Sequence, residues 1–318
     1  MSGIRVGISS WADPALIESR AFYPRKSMTA EARLKFYARF FDTVEVNSSY
    51  YAIPDVRHAA RWVERTPPGF VFHVKAYALL TGHHVRGATL PADVEALLPA
   101  SPRRTSRGDI DAGAFSVEAV EAAFWLFRLS LAPLAQAGKL GYVLFQLAPW
   151  VRFGPRWLDY LARLPERMPG VRLAVEFRDR SWLPEHTDET LDALRAVGIA
   201  HVVVDAPATA NAVPRLCVAT APLSVFRLHG RNVEGWLRQL RGEEPSVREK
   251  YDYLYTEGEL AEIKNAAEAM TEHADDVFVS FNNNNRDYPV RNALALKRML
   301  GQPTPDGHSD SLPRDLFA

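Results

Sequence analysis

The sequence predicts an α/β fold of the closed (β/α)8 type, a TIM-type barrel of eight parallel strands in a single domain. Three observations support this prediction: eight apolar segments of strand length, helical segments between nearly all of them, and no Gly-x-Gly-x-x-Gly sequence after any strand. Strands that alternate with helices indicate a parallel sheet, and eight such units favour a closed barrel. The missing glycine-rich phosphate loop argues against an open doubly wound sheet.

The predicted strands are short apolar runs bounded by turn residues or by helix signals. The first run contains Gly7 and ends at the polar pair Ser9-Ser10, and the breaker Pro67-Pro68-Gly69 precedes the third. The eight predicted strands are Ile4–Ser9, Thr43–Asn47, Phe70–Lys75, Leu140–Gln146, Val171–Glu176, Ala200–Asp205, Ser224–His229 and Val277–Asn282.

The predicted helices are recognised by the residues at their ends. Thr29 is the predicted N-cap of a helix that runs to about Phe41, and Pro54-Asp55 opens a helix to about Arg65. The later predicted helices run from about Ser116 to Ala137, from Pro155 to Leu164, from the N-cap Thr187 to Gly198, from the capping box at Thr256 to about Met270, and from Pro289 to Gly301.

One interval does not fit the regular alternation of strands and helices. About 65 residues separate the third and fourth predicted strands, which is too long for one helix and predicts an insertion over about residues 85–137. Its centre, Pro99–Asp111, is rich in Pro, Arg, Ser, Gly and Asp and predicts an exposed loop. We therefore expect one barrel domain over residues 1–301, followed by a polar, loosely held tail over residues 302–318.

Composition limits the classes of function. The chain has 318 residues, of which 38 are Lys or Arg and 38 are Asp or Glu, so its overall charge does not favour a general nucleic-acid binder. The one cysteine, Cys217, excludes an intramolecular disulfide and favours a cytoplasmic location. The N-terminal residues show neither a basic nor an apolar leader segment, and no apolar run is long enough to span a membrane, so we expect no signal peptide and no membrane partner.

The seventh predicted strand carries an unusual set of basic residues. Arg227, His229 and Arg231 are spaced two residues apart, so the alternation of a strand would direct all three to one side. A buried charge without a partner is very costly, so these groups require carboxylates or an anionic ligand nearby. We expect Arg227 to be an internal ion-pair partner, His229 to lie at the rim and Arg231 to contact a ligand from the loop.

Polar side chains end nearly every predicted strand on the inward face. If Val44 and Val46 pack against the helices, Glu45 and Asn47 point inward, and the same alternation applies to the other strands. Barrel active sites lie at the C-terminal ends of the strands, whereas barrel interiors are normally filled by aliphatic residues. A polar layer here therefore predicts a site, although any one of these residues alone could equally serve to hold a loop. The inward set is Ser9, Glu45, Asn47, His73, Lys75, Gln146, Glu176, Asp205, Arg227, His229, Ser280 and Asn282.

Aromatic residues follow several of the same strands. Trp11, Tyr50, Tyr51, Trp150 and Trp182 all come shortly after a predicted strand end. Such residues can form the walls of a pocket and stack on a ring or a sugar. Packing of the loops onto the barrel explains each of them equally well when it is taken singly.

Several separate motifs occur in an order that is specific to one family. They include Gly7-Ile8-Ser9-Ser10-Trp11, Thr43–Tyr51, Phe72–Lys75, Val175–Arg178, Arg227–Arg231 and Phe281-Asn282-Asn283. On these motifs the chain resembles the YecE-like family, domain of unknown function 72, over about residues 4–300. The resemblance implies a TIM-barrel-like fold, in agreement with the strand count, and it implies no particular reaction.

The first functional hypothesis is an enzyme, a hydrolase or lyase, that acts on a small ligand with a phosphate or carboxylate group. Arg side chains suit bidentate contact with such groups. Glu45 or Glu176 would be the general acid or base and His229 would shuttle a proton. No cofactor is required by this hypothesis. The expected ligand-binding residues are Ser9, Trp11, Asn47, Tyr51, Lys75, Gln146, Arg178, Asp205, Arg227, Arg231, Asn282 and Asn283.

Three alternatives remain open from the sequence. Glu45, Glu176, Asp205 and His229 come from four strands and are of the types that ligate a divalent metal ion, as in barrel nucleases and isomerases. Aromatic residues beside Arg and Lys also suit nucleic acid, a partner that the neutral charge balance does not favour. A third alternative is a barrel that binds a small ligand as a sensor without converting it.

Overall fold

The computed structural model describes residues 3–208, 212–241 and 247–305, and eight parallel strands alternate with helices along them. This is the TIM-barrel-like α/β fold class that the sequence predicts. The strands are β1 (Gly3–Ile8), β2 (Thr43–Val46), β3 (Val71–Lys75), β4 (Leu140–Gln146), β5 (Leu173–Glu176), β6 (Ala200–Asp205), β7 (Leu223–Leu228) and β8 (Asp276–Phe281).

The helices occupy most of the segments between the strands. They are α1 (Pro14–Ser19), α2 (Ala30–Tyr37), α3 (Val56–Glu64), α4 (Ala92–Glu95), α5 (Val117–Gln136), α6 (Pro155–Ala162), α7 (Leu164–Arg167), α8 (Thr187–Ala196), α9 (Val233–Leu240), α10 (Val247–Lys250), α11 (Glu257–Met270) and α12 (Tyr288–Met299). The sequence analysis did not predict the short helices α1, α4, α7 and α10, nor α9. None of the helices in the described ranges combines the length and apolar character needed to cross a membrane.

The predicted N-cap residues can be compared with the capping hydrogen bonds at the helix N-termini. Thr29 and Ser116 cap α2 and α5 by accepting a hydrogen bond from a backbone N–H three residues later, and Thr256 forms a complete capping box with Glu259. The predicted N-cap Thr187 is wrong by one residue, because His186 occupies that position. Thr187 instead donates its hydroxyl to the carbonyl of Pro184, at 3.2 Å.

The predicted insertion contains more structure than its composition indicates. Residues 99–111 lie outside any helix and are mostly exposed, as expected. Ile110, however, is buried and exchanges two backbone hydrogen bonds with Val85, at 2.8 and 3.0 Å. Of the predicted tail, residues 306–318 lie outside the described residues, while Gln302 donates to the carbonyl of Ile4 at 2.7 Å.

The chain divides into two compact units. The first comprises the N-terminal segment through Glu45, Arg65–Phe70 and the segment from His201 onward, and the second comprises Val46–Glu64 and Val71–Ala200. In the first unit the strand order is β1-β8-β7-β6, and β2 joins β1 through a parallel bridge between Ser9 and Glu45. In the second unit the order is β5-β4-β3.

The register of the first unit fixes which side chains share a face. Gly7 of β1 pairs with Ser280 of β8, which pairs with Arg227 of β7, which in turn pairs with Val204 of β6. Directly paired residues of a sheet lie on the same face. Gly7 is required here because a Cβ atom at this position would lie 2.5 Å from the carbonyl oxygen of Thr43. The missing side chain allows β2 to approach β1 closely.

The second unit has a comparable close contact beneath its strand ends. His73 of β3 is buried and stacks on Tyr142 of β4, with 3.9 Å between the ring centroids. A Cβ atom at Gly141 would lie 2.3 Å from Nδ1 of His73. The absence of a side chain at residue 141 therefore allows this pair of rings to stack inside the sheet.

Gly141→Ala is expected to lower the stability of the protein, because the added methyl group overlaps the His73 ring. Overpacking of this kind costs about 1–3 kcal/mol. The measurement is the urea midpoint of unfolding, followed by far-UV circular dichroism. Gly258→Ala is the matched control, since Gly258 lies in the first turn of α11 with no atom near its missing side chain and the substitution favours the helix. A midpoint for Gly141→Ala equal to that of the wild type would show that the sheet tolerates the methyl group.

Candidate functional site

Arg227 is the most deeply buried cation among the predicted site residues of the first unit. Its Nε donates to Glu45 Oε2 at 2.9 Å and its Nη2 donates to Glu45 Oε1 at 2.7 Å, and both residues are fully buried. This bidentate arrangement is the strongest geometry for an arginine–carboxylate pair. The internal ion pair predicted for Arg227 is therefore present. Because both oxygens of Glu45 accept from one guanidinium, the main role of Glu45 is that of the counter-ion of Arg227.

His229 directly follows β7 and is fully buried beside this ion pair. Its Nδ1 lies 2.8 Å from the side-chain nitrogen of Asn282, and its Nε2 lies 3.5 Å from Arg227 Nη1. The Asn282 oxygen in turn accepts from Asn284 at 3.2 Å. These contacts fix the orientation of the imidazole ring. We call Glu45, Arg227, His229 and Asn282 the Arg227 cluster.

Ser9 lies at the end of β1 in the same unit. Its hydroxyl is 3.0 Å from the hydroxyl of Ser280, and its backbone carbonyl accepts from Asn284 at 3.3 Å. Ser9 is fully buried, and its contacts hold the ends of β1 and β8 together. In the same unit Trp11 is also buried, and its carbonyl accepts a hydrogen bond from the hydroxyl of Tyr23.

The inward direction predicted for Asp205 is wrong. The register pairs Val204 with Arg227 and Asp205 with Leu228, so the Asp205 side chain lies on the face opposite to Arg227. There it accepts from Arg231 at 2.9 and 3.0 Å and from the hydroxyl of Tyr255 at 2.8 Å. β6 has the predicted bounds, so the error lies in the register of β6 against β7, which pairs Asp205 with Leu228 rather than with Arg227 or His229.

The Arg231 side chain also does not lie on the face that the alternation of strand side chains predicts for it. β7 ends at Leu228, and Gly230 has a φ of 83°, which turns the chain before residue 231. Besides Asp205, Arg231 contacts Glu259 at 3.1 Å and Glu262 at 3.3 Å. Its hydrogen bonds to Asp205, together with these carboxylates, raise the pKa of the Arg231 guanidinium above its usual value. Arg231 thus contacts three carboxylates within the protein, and its contact with a ligand stays a prediction.

Asn283 is likewise used within the protein. It is fully buried, and its amide nitrogen donates to the carbonyl of Tyr253 at 2.8 Å and to Asn292 Oδ1 at 3.0 Å. Asn292 lies on α12 and also binds both backbone groups of Tyr255. Asn283 therefore joins the segment before α11 to α12.

The second unit brings together three predicted residues at the ends of β4 and β5. Gln146 pairs with Glu176 in the sheet register, and Arg178 follows two residues after Glu176. Arg178 Nη2 lies 2.5 Å from Glu176 Oε1 and donates to Gln146 Oε1 at 3.0 Å. Glu176 is fully buried, whereas 13% of the Arg178 side chain is exposed. The guanidinium therefore connects a buried carboxylate to the surface of the unit.

Lys75 at the end of β3 adds a second cation to this unit. Its ammonium lies 4.3 Å from the centroid of the Tyr50 ring, and its backbone carbonyl accepts from Ser49 at 2.6 Å. A cation over an aromatic face is stabilised by the ring quadrupole. We call Lys75, Gln146, Glu176 and Arg178 the Glu176 cluster, which contains two cations and one carboxylate.

His83 is a member of this neighbourhood that is absent from the predicted site residues. It is buried, and its Nδ1 lies 2.8 Å from the hydroxyl of Thr81. Burial, and then the charges of Lys75, Arg178 and His84, lower the pKa of His83 to about 3. The sequence signal that could have marked His83 as a site residue was its position in Leu80-Thr81-Gly82-His83, shortly after the third strand.

The remaining predicted residues have different environments. Tyr51 is 61% exposed and packs edge-on against Tyr50, at 5.1 Å. Asn47 precedes the 3-10 turn Ser48–Tyr50, and its buried Oδ1 has no hydrogen-bond partner among the described residues. Trp182 is fully buried and donates its indole N–H to the carbonyl of Val151, at 2.9 Å. It therefore packs a loop, which is one of the two roles that the sequence left open for the aromatic residues.

The alternative metal-binding set is not assembled in the described part of the chain. No group of three or more His, Cys, Asp or Glu side chains in residues 3–208, 212–241 and 247–305 is arranged to hold a metal ion. Glu45 and Asp205 accept hydrogen bonds from Arg227 and Arg231 instead, and they point to opposite faces of the sheet. A divalent ion at these carboxylates would have to displace the arginines.

Arg227→Met and Glu45→Gln are each expected to destabilise the protein strongly, because each leaves a buried group of the other residue without its partner. Removal of one member of a buried ion pair costs about 3–5 kcal/mol. The double variant is expected to lose much less than the sum of the two, which urea unfolding of all four proteins measures as a double-mutant cycle. Lys35→Met, which breaks an exposed pair with Glu31, is the control and is expected to change stability by less than about 1 kcal/mol. Strictly additive losses would argue against the coupling.

His83→Phe is expected to reduce the loss of stability in mild acid. The folded-state pKa of His83, about 3, lies below the ordinary value of 6.5, so only the unfolded chain takes up this proton as the pH falls below 6.5. The contribution of neutral His83 is complete above pH 6.5 and declines towards pH 3, by at most about 1.4 kcal/mol per pH unit. Urea midpoints at pH 7, 6 and 5 measure the slope. Thr81→Val, which removes the hydrogen-bond partner without removing the imidazole, should keep the slope of the wild type, and the same slope in His83→Phe would contradict the assignment.

Comparison with known proteins identifies the family. The family model described as "Protein of unknown function DUF72" matches residues 5–315. The UPF0759 protein YunF of Bacillus subtilis strain 168 is 33% identical over 301 residues, which are 93% of this chain and 94% of the relative.

Solved structures of the same family agree with this match. A DUF72 family protein from Enterococcus faecalis V583 is 26% identical, with 95% and 99% of the two chains covered and a TM-score of 0.72. A DUF72 family protein from Thermotoga maritima MSB8 is 28% identical, with 94% and 99% covered and a TM-score of 0.72. The resemblance found in the sequence motifs is confirmed, and this chain belongs to the DUF72 family of proteins of unknown function.

Proposed function

We propose that the protein is an enzyme, a hydrolase or lyase, that acts on a small ligand with a phosphate or carboxylate group. The observation that carries this proposal is the Glu176 cluster of the second unit. It combines a buried carboxylate, a partly exposed arginine and a lysine at the C-terminal ends of parallel strands, where barrel enzymes hold their reactive groups. The guanidinium of Arg178 and the ammonium of Lys75 are groups that suit an anionic ligand.

Arg178 and Lys75 are the proposed anion-binding residues. Arg178 presents a planar set of donors that matches the oxygens of a phosphate or carboxylate group, and Lys75 contributes a point charge. The depressed pKa of His83 supports a positive potential in this region, because Lys75 and Arg178 are among its causes after burial. Gln146 orients the arginine through its side-chain oxygen.

Glu176 is the proposed general acid or base. It is fully buried, lies at the end of β5 and has the guanidinium of Arg178 beside one carboxylate oxygen. A carboxylate held by a cation that also binds the ligand is suited to transfer a proton to or from that ligand. In the first unit, considered by itself, His229 stays a candidate for proton transfer, and Glu45 serves as the counter-ion of Arg227. We propose no metal requirement for this chemistry. We also propose a cytoplasmic location for the protein, on the basis of the single cysteine in the sequence.

Arg178→Met is expected to weaken the binding of inorganic phosphate by about 10- to 100-fold, which corresponds to the loss of a charge-assisted hydrogen bond. Isothermal titration calorimetry at low ionic strength measures this affinity. Arg180→Met is the matched control, because Arg180 lies two residues further along, is exposed and pairs with Glu185. Equal affinities for Arg178→Met, Arg180→Met and the wild type would overturn the anion-binding role.

The catalytic part of the proposal needs a separate measurement. A panel of phosphate monoesters and hydroxy acids would be assayed for release of inorganic phosphate or formation of a double bond, with and without a chelator. Glu176→Gln is expected to abolish turnover and to retain phosphate binding, since it removes the proton-transferring group and leaves Arg178 in place. Turnover that survives in Glu176→Gln, or that disappears with the chelator, would exclude the mechanism.

A further inference from the structure

Trp150 is an exposed aromatic residue that the second unit holds in one orientation. Its side chain is 52% exposed, yet its indole N–H donates to the carbonyl of Gly82 at 3.0 Å. One face of the indole stacks on His84, with 4.6 Å between centroids and 18° between the planes. A tryptophan fixed at its edge and backed by a histidine, with about half of its surface exposed, can stack on a ligand through the exposed part of its ring.

The loop that orients Trp150 depends on a glycine. Gly82 has a φ of 78°, a left-handed conformation that other residues rarely adopt. A Cβ atom there would also lie 2.8 Å from the ring of Trp157. The position of the Gly82 carbonyl, and with it the indole of Trp150, is therefore determined by the fold of this unit.

A continuous set of rings connects Trp150 to the cations of the Glu176 cluster. His83 packs against Trp150 at 5.7 Å and against Tyr50 at 5.0 Å, and Tyr50 lies under the Lys75 ammonium. The charges of Lys75 and Arg178 both act on His83. Trp150 and the Lys75 ammonium are thus linked through the rings of His83 and Tyr50 within the second unit.

The geometry points to a sugar ring that bears a phosphate or carboxylate group as the ligand of this surface. This inference rests on the proposed anion-binding function and names its substrate class. The aliphatic C–H face of a sugar packs on a single aromatic face, while its hydroxyls need hydrogen-bonding groups around it. Trp150 provides the single face.

Two observations favour a sugar over a planar base. Tyr50 and Tyr51 stand at 87° to each other, so these two rings do not form a parallel slot for a flat ring. The buried Oδ1 of Asn47, beside the Tyr50 turn, has no hydrogen-bond partner among the described residues and can accept from a hydroxyl. Gln146 supplies a further amide next to Arg178.

The test compares inorganic phosphate, glucose 6-phosphate, glucuronate and AMP as ligands in isothermal titration calorimetry with the full chain. Glucose 6-phosphate is expected to bind at least about tenfold more tightly than inorganic phosphate. Trp150→Ala is expected to remove this tenfold advantage and to leave phosphate binding unchanged, and Trp150→Phe to retain most of it. The matched control is Trp125→Ala, because Trp125 on α5 is 54% exposed and is expected to have no effect. A Trp150-dependent gain for glucuronate and not for glucose 6-phosphate would assign the carboxylate rather than the phosphate as the charged group of the sugar ring.

The outcomes separate this inference from the proposed function. If inorganic phosphate binds but neither sugar anion gains from Trp150, the sugar assignment is overturned and the anion site stands. If AMP alone gains from Trp150, the ring is a planar base and the sugar assignment is again overturned. If neither phosphate nor any of the other three ligands binds to the wild type, both the inference and the proposed function fail.

Discussion

The buried ion pair between Arg227 and Glu45 is the interaction on which the centre of the first unit depends. Two fully buried charges cost several kcal/mol each in lost hydration, and only a close bidentate contact recovers that cost. The contact requires β2 to lie in one register against β1. Gly7 permits the approach, because any side chain there would meet the carbonyl of Thr43. The bridge between Ser9 and Glu45 then sets the carboxylate at the height of Arg227 and, through it, limits the position of His229.

The alternation of strand side chains is reliable within a strand and fails where the strand stops. Arg227 and Ser280 share a face because they are paired inside β7 and β8. Arg231 does not follow them, because Gly230 adopts a positive φ and redirects the chain. Asp205 is also displaced to the other face, and the two residues that leave the predicted layer bind each other. The Asp205–Arg231 pair, with Tyr255, thereby fastens the loop after β7 to the outer side of its own sheet.

The sequence predicted the features that depend on local patterns and missed those that depend on register. All eight strands and the longer helices α2, α3, α5, α6, α8, α11 and α12 were predicted, because hydrophobic periodicity and capping residues act over a few positions. The ion pair of Arg227 could be anticipated, since a buried guanidinium must have an anionic partner. The side of the sheet that Asp205 faces could not, because it depends on which residue of β7 stands beside Val204. His83 was missed for a similar reason: a histidine in a short turn gives no sign in the sequence of the cations that approach it.

The two clusters differ in how their charges are compensated, and this difference indicates where an anion is best accommodated. In the Arg227 cluster the guanidinium meets a carboxylate with both of its oxygens engaged, so the charges of the pair cancel. In the Glu176 cluster the carboxylate of Glu176 pairs with Arg178, and part of the Arg178 side chain is exposed. An anion brought to the first cluster would have to compete with Glu45 for Arg227 and would leave a buried carboxylate without its counter-ion, whereas an anion at the second can approach the exposed part of Arg178. For this reason we propose Lys75 and Arg178 as the ligand-binding residues, and we regard Arg227 as the residue that makes a buried, oriented His229 compatible with the fold.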